Sequence, residues 1–376
     1  MNENAFVVVF PSIFANNKKS ILVDNIKKIL KINNQKVSQI ARDDELVVID
    51  ANDPVFASSA INLLFGVDKI IIARRVENKF DVIVSSIAKI GASLLLRGEQ
   101  FYVKVDGHSS GYLPKDVEVA ATSALIEKTS QMDSKPGSEE KHDKLVYCFL
   151  TKNNAYVSIF MDKGHGGIPY NSQNDKMICC IYDELSAISC LESIKQGFDV
   201  KIIVCYDNSN LHDLVKMINR ILPRMVQNKV MLDFLKTTIK QKNTKSFQIK
   251  IKTITQILCL VAKNENIKRV SLALSPLVFP LWFIDENTNI ILQNKCIPWI
   301  SLSGIDESII KTAKEIGLGK YLHRIEKLGK IKFEKNNLEG KVLDIATQIL
   351  KIKESVVVTV GPNNVHDILD SIDVKH

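Results

Sequence analysis

The sequence predicts an α/β protein: a ferredoxin-like N-terminal unit, a second small α/β unit and a C-terminal doubly wound parallel sheet. Three observations predict it. From Ala5 to Val76 the apolar runs and amphipathic stretches approach the order β-α-β-β-α-β. From Lys176 onward, apolar strands alternate with helices, the rhythm of a parallel sheet covered on both faces. A chain of 376 residues also exceeds what one hydrophobic core ordinarily serves, so two or three domains are expected.

In order, Ala5 to Phe10 reads as a strand and Ser20 to Leu30 as an amphipathic helix with Lys27, Lys28 and Lys31 outward. Then come a strand around Glu45 to Ile49, a helix from Pro54 to Leu64 closed by Gly66, and a strand from Val67 to Val76. One middle strand of the pattern has no clear place. A helix from Phe80 to Leu96 leads to strand Gln100 to Val105, helix Pro114 to Lys128, and strands Leu145 to Leu150 and Tyr156 to Met161. Ser130 to Lys144 is charged and bears Ser, Pro and Gly, the composition of a mobile loop.

The C-terminal series reads strand Met177 to Tyr182, helix Ser186 to Gln196, strand Phe198 to Cys205 and a long helix from Leu211 to about Lys240. Strand Phe247 to Lys252, helix Thr253 to Ala262, and strands Val270 to Leu274, Pro298 to Leu302 and Val356 to Val360 follow. The last leads into Gly361-Pro362-Asn363-Asn364 before a helix, a place where amides can meet an anion, although turns of that composition are usually structural. The expected boundaries are 1–78, 79–168 and 169–376. The ligand crevice of a doubly wound sheet lies at the C-terminal strand ends, here near Tyr182-Asp183-Glu184, Cys205-Tyr206-Asp207, Ser275-Pro276 and Ser303-Gly304-Ile305-Asp306.

Hydrophobic residues make up 45% of the chain and mean hydropathy is +0.03, as in a soluble globular protein. No charged, apolar and small-residue order marks a signal peptide, and no apolar run reaches the roughly 20 residues that cross a bilayer, so a cytoplasmic protein without a membrane partner is expected. The seven cysteines are scattered through apolar segments, against a disulfide framework or a zinc site. The net charge is +8. Its excess concentrates between Lys216 and Arg269, opposed only by Asp233 and Glu265, and such a single-sign stretch favours a polyanion. Lysine-rich usage throughout a genome would give the same composition.

The order of a ferredoxin-like unit, a second α/β unit, the bridge Gly164-His165-Gly166-Gly167-Ile168-Pro169 and a parallel α/β domain resembles the ThiI family, tRNA 4-thiouridine synthetases with a THUMP domain and a PP-loop ATP pyrophosphatase domain. The resemblance spans essentially the whole chain. It rests on Phe65-Gly66, Phe101 to Val105 with Pro114, the Gly166-Gly167-Ile168-Pro169 bridge, and Leu302-Ser303-Gly304-Ile305-Asp306 running into Ala313-Lys314-Glu315-Ile316-Gly317.

Departures from the family are concentrated in its ATP site. The family's PP-loop, Ser-Gly-Gly-x-Asp-Ser, falls on Ile181-Tyr182-Asp183-Glu184-Leu185-Ser186, where only the final serine is kept and two carboxylates repel phosphate. The glycine-rich segment after a later strand is Ala273-Leu274-Ser275-Pro276-Leu277, whose proline removes a donor. The Lys and Glu expected after Asp306 are Glu307 and Ile309. Tyr182, Asp183, Glu184, Ser186, Ser275 and Asp306 therefore form a degenerate ATP site, and no cofactor is expected. Asp183 and Glu184, adjacent and without histidine, do not make a metal site.

Sulfur transfer needs a persulfide-bearing cysteine. Cys205, at a strand end, is the best-placed candidate, while Cys179 and Cys180 face opposite sides of a buried strand. His108 and His165 read as loop residues with no partner for acid–base chemistry. The resemblance implies that the N-terminal units grip tRNA. Lys69, Arg74, Arg75, Lys104 and Lys163, with Arg220, Arg224 and Lys229 in the second half, are the expected backbone contacts, although Gly107 stands where the family is basic.

The reading is thus a tRNA-binding protein that has lost adenylation. The rivals are an active tRNA sulfurtransferase with a rebuilt site for ATP and Mg, and a non-catalytic subunit docking a sulfur-donor or modification-enzyme partner. The family's dimers make a homodimer an expectation as well.

Overall fold

The computed structural model describes residues 5–237, 239, 244–304, 307–323, 330–335, 339–360, 368–369 and 372. It divides into two compact units, one of residues up to Asn62 and Val67–Gly166, the other of Leu63–Gly66 and the chain from Gly167 onward.

The first unit runs β1 (Ala5–Pro11), α1 (Lys19–Ile32), β2 (Val37–Asp43), β3 (Leu46–Ala51), α2 (Pro54–Ile61), β4 (Val67–Glu77), α3 (Phe80–Leu94), β5 (Gln100–Gly107), α4 (Pro114–Lys128), β6 (Lys135–Pro136), β7 (Lys144–Leu150) and β8 (Asn154–Gly166). All eight strands join one sheet, ordered β2-β3-β1-β4-β8-β7-β5-β6, which crosses the expected division near residue 78 through β4 and β8. The strand that the sequence left unplaced is β2, at the sheet edge. None of its side chains is fully buried, so its apolar alternation is weak.

Local chemistry sets the helices. In α1, Leu22, Ile26, Ile29 and Leu30 recur at helical spacing and are all buried. Asp53 caps α2, accepting from the Val55 and Phe56 amides at 3.1 Å each, with Pro54 preset for the first turn. Such a cap stabilises by about 1 kcal/mol. In α4 it is Asp116, within the first turn, that reaches back and accepts from Leu113 N at 2.9 Å.

The sheet curls. β4 and β8 separate β1 from β7, which in a flat sheet would hold them about 14 Å apart. Yet the Phe10 ring on β1 meets Phe149 on β7 edge-on at 4.9 Å. Asp43, on β2, closes the curl from the far edge, accepting from Tyr156 Oη at 2.6 Å, Asn154 Nδ2 at 2.9 Å and Thr151 Oγ1 at 3.0 Å. Inside the curl Val8, Phe10, Ile71, Ala73, Tyr147 and Tyr156 pack together, while α3 and α4 cover the other face of β5 and β7. Gly107 is fixed by this geometry: its φ is +97° and a Cβ would lie 2.1 Å from the Leu150 carbonyl oxygen, so no basic residue fits there. The segment Ser130 to Lys144 is tied down rather than loose. β6 pairs with β5, Gly137 N donates to Phe101 O at 2.7 Å, and the Asp143 carboxylate accepts from Gln100 N at 2.8 Å.

The second unit runs β9 (Lys176–Ile181), α5 (Glu184–Lys195), β10 (Asp199–Tyr206), α6 (Leu211–Ile221), β11 (Lys229–Lys236), α7 (Thr244–Asn264), β12 (Arg269–Ser271), α8 (Leu281–Gln293), β13 (Ile297–Trp299), α9 (Glu307–Glu315), α10 (Glu339–Lys351) and β14 (Glu354–Thr359). The sheet order is β13-β12-β9-β10-β11-β14, parallel except for β14, which runs against β11. The chain builds outward from β9 through β10 and β11, then returns to the other side of β9 for β12 and β13. The switch point therefore lies between β9 and β12, where a doubly wound sheet opens its crevice. α5 is buried on all sides, from Glu184 to Ile194.

Two sequence expectations are corrected in this unit and one in the first. The expected long helix from Leu211 stops at Ile221. A tight turn through Pro223 and a positive φ of 53° at Val226 lead into β11, the third parallel strand. The expected strand Phe247 to Lys252 is the interior of α7. Its apolar–lysine alternation mimics a strand because Lys250 and Lys252 are buried, Lys252 against Glu286 at 2.7 Å. His165 lies within β8, not in a loop.

Candidate functional site

The turn from β9 into α5 is where a nucleotide phosphate would meet backbone amides. Here the chain uses those amides itself. Ser186 Oγ accepts from the Tyr182 and Asp183 amides at 2.9 Å each and donates to the Asp183 carbonyl at 2.8 Å. Asp183 Oδ1 in turn accepts from the Ser186 amide at 2.8 Å, completing a reciprocal cap. The helix end that could hold an anion carries a resident carboxylate. Burial pushes the Asp183 carboxyl up from 3.8 to about 6, with its Ser186 hydrogen bonds pulling the other way.

Beside this turn is a cavity of about 210 Å3. Asp183 and Glu184 line it from α5, Asp207 from the end of β10, Asp213 from α6, and Phe247 and Lys250 from α7. Of the six expected ATP-site positions, Tyr182, Asp183 and Glu184 line the cavity and Ser186 sits in the turn behind it. Ser275 is buried in a turn of its own after β12, its carbonyl accepting from Phe279 N at 2.9 Å, and it does not line the cavity. Asp306 and Gly361 to Asn364 lie outside the described residues. Lys250 was legible only as one member of a basic stretch, because its burial follows from packing of α7.

Cys205 is fully buried. Its thiol contacts Cys180 on β9, while Cys179, on the opposite face, contacts Cys190 of α5. Cys180 pairs with Ile203, so Cys205 stands two residues further along its strand. Strand geometry separates the two Cα atoms by about 8 Å, beyond disulfide reach. Burial, followed by this contact, pushes the Cys180 thiol well above its ordinary range.

The expected basic contacts divide. Lys69 on β4 opposes Lys163 directly across the pair with β8, so both side chains leave the same face. Lys104 on β5 acts electrostatically on Lys69 and is itself paired to Glu139 at 2.7 Å. Lys69 Nζ lies 4.3 Å from the Phe10 ring centroid and donates to Tyr147 Oη at 2.7 Å, and burial lowers its pKa. Arg75, on the same side of β4, stacks over Phe6 at 4.6 Å. Arg74 points to the other face, with a buried Nε that meets no hydrogen-bond partner among the described residues. In the second unit Arg220 and Lys229 are exposed. Arg224 is not: it is 7% exposed, donates to the Leu63 carbonyl at 3.1 Å, and burial lowers its pKa to about 10. It is a packing residue. A further basic surface was not singled out as a contact from the sequence. Lys27, Lys31 and Lys36 line a groove of about 600 Å3 beside β2 that has no carboxylate in its wall.

No protein-family model matches the chain, and no curated protein is detectably similar to it in sequence. Solved structures do match. The crystal structure of a 4-thiouridine synthetase in complex with RNA and bound ATP is similar with a TM-score of 0.65 at 12% identity, over 94% of this chain and 100% of that one. The crystal structure of PH1313 from Pyrococcus horikoshii Ot3 is similar with a TM-score of 0.62 at 16% identity, over 84% and 100%. At such identities the likeness is one of fold.

The protein is an α/β protein with a ferredoxin-like and THUMP-type N-terminal half and a PP-loop-like, doubly wound C-terminal sheet. That is the fold of the 4-thiouridine synthetase solved with RNA and ATP. Among the described residues no helix is long and apolar enough to cross a membrane.

Proposed function

We propose that the chain binds tRNA through its first unit and no longer adenylates it. The observation that carries the first half is the juxtaposition of Lys69 and Lys163. Like charges directly opposed in an antiparallel pair cost stability, about 0.2–1 kcal/mol, which a polyanion on that face would offset. Lys104 extends the cluster, and the groove of Lys27, Lys31 and Lys36 offers phosphates a second track. Arg75, Arg220 and Lys229 remain exposed contacts in this reading. The second half rests on the reciprocal Asp183–Ser186 cap, which consumes the amides that pyrophosphate would need.

The neighbour solved with RNA and ATP supports the RNA half by analogy of fold. The test is binding of a tRNA transcript across a salt series, with and without ATP and magnesium. Salt-sensitive binding indifferent to ATP is expected. ATP-dependent binding, or exchange of pyrophosphate into ATP, would favour an active sulfurtransferase, and no binding at all would favour a partner-docking subunit.

A further inference from the structure

The cavity at the β9–α5 turn has a charge pattern that the loss of ATP binding does not explain. Four carboxylates, those of Asp183, Glu184, Asp207 and Asp213, share its wall with one ammonium, that of Lys250. Lys250 is 4% exposed, lines the cavity, and among the described residues makes no direct hydrogen bond or ion pair, while the Asp183 and Asp207 carboxylates act on it electrostatically at longer range. No acceptor in the wall meets that ammonium directly, so its hydrogen bonds are left for an anionic group supplied from outside. The carboxylates point to a cationic one. Asp207 stays ionised: burial raises its pKa, but hydrogen bonds from the Ser209 hydroxyl and amide, the latter at 2.9 Å, outweigh burial and hold it below the ordinary value.

Size and geometry narrow the class. About 210 Å3 falls below the roughly 300–1,000 Å3 of ordinary cofactor sites, a size that suits a small ligand better than a nucleoside triphosphate. A divalent cation does not suit either. Among the described residues no three His, Cys, Asp or Glu groups are placed to hold a metal ion. Phe247 and Met217 give the rest of the wall an apolar surface.

We propose that this cavity binds a small zwitterion, a free amino acid, its ammonium taken by Asp207 and Asp213 and its carboxylate by Lys250. The inference rests on the reading that the site no longer takes ATP. RNA binding by the first unit does not depend on it.

The experiment is thermal unfolding of the full chain with each of the protein L-amino acids at millimolar concentration. Further arms use the matched decarboxylated amine, the matched deaminated carboxylate, and ATP with magnesium. At least one amino acid is expected to raise Tm by roughly 5–10 °C at about 100 times its Kd. Neither matched analogue should reproduce the shift, and Lys250→Met and Asp213→Asn should each abolish it. Circular dichroism establishes that the variants fold, and Asp213→Asn, nearer the solvent, serves if Lys250→Met does not.

The proposal is overturned if no amino acid shifts Tm, if the amine alone works as well as the amino acid, or if both variants keep the shift. A Tm rise with ATP and magnesium alone overturns it together with the reading of lost adenylation. Silent amino acids with intact tRNA binding overturn it alone.

Discussion

Asp183 and Ser186 hold each other in a closed pair: the serine amide reaches the Asp183 carboxylate at 2.8 Å, and the serine hydroxyl takes the Asp183 amide at 2.9 Å. The same hydroxyl takes the Tyr182 amide at 2.9 Å. One serine thus ties down the donors of a turn that would otherwise face a phosphate.

Ser186→Ala should therefore cost more than a surface substitution. It leaves the Tyr182 and Asp183 amides without their acceptor in a buried turn, an expected loss of about 1–3 kcal/mol. Urea unfolding of the two chains measures it. No loss beyond about 0.5 kcal/mol would mean that water or a rearranged turn satisfies both amides.

The raised Asp183 pKa sets a pH dependence. An acid that binds its proton more tightly when folded stabilises the fold below its unfolded pKa, and that contribution is lost as pH rises through the folded value. The window is from 3.8 to about 6. Asp183→Asn keeps an acceptor for the Ser186 amide and removes the titration. Relative to that variant, the wild-type chain should lose about 2–3 kcal/mol between pH 4 and 7. Chemical denaturation at several pH values checks this, and parallel curves for the two chains would sink it.

Lys163→Ala should separate affinity from stability. It removes one of two opposed lysines, so stability should rise by about 0.2–1 kcal/mol while tRNA affinity falls. The slope of log K against log salt should drop by about 1. A variant that loses stability and keeps its affinity would place Lys163 outside the RNA contact.

Arg224→Ala should do the reverse. The buried guanidinium holds the Leu63 carbonyl, and its loss should destabilise by about 2–3 kcal/mol. The tRNA affinity of the folded fraction should be unchanged. A selective fall in affinity would return Arg224 to the RNA contacts that the sequence suggests.

Gly107→Lys, which puts a base where the resemblance to the ThiI family leads one to expect it, should destabilise by more than 2 kcal/mol, since backbone strain adds to a clash with the Leu150 carbonyl. A stable, tighter-binding variant in equilibrium unfolding and tRNA titration would show that β5 and β7 can part there.

The sequence by itself determined the class of each half, because apolar periodicity records which faces are buried. It also determined that the β9–α5 turn lacks glycine and carries two carboxylates. Elements with a mixed record were misread. β2 hides because an exposed edge strand has little apolar alternation, and α7 read as a strand because its buried lysines look like solvent-facing ones. Only the tertiary structure decided how distant residues meet: Lys69 with Lys163, Arg224 with Leu63, and Lys250 with four carboxylates around one cavity. Those meetings depend on strand register, sheet curl and crossover order. No local pattern along the chain encodes them, because the residues involved are brought together by the packing of elements far apart in sequence.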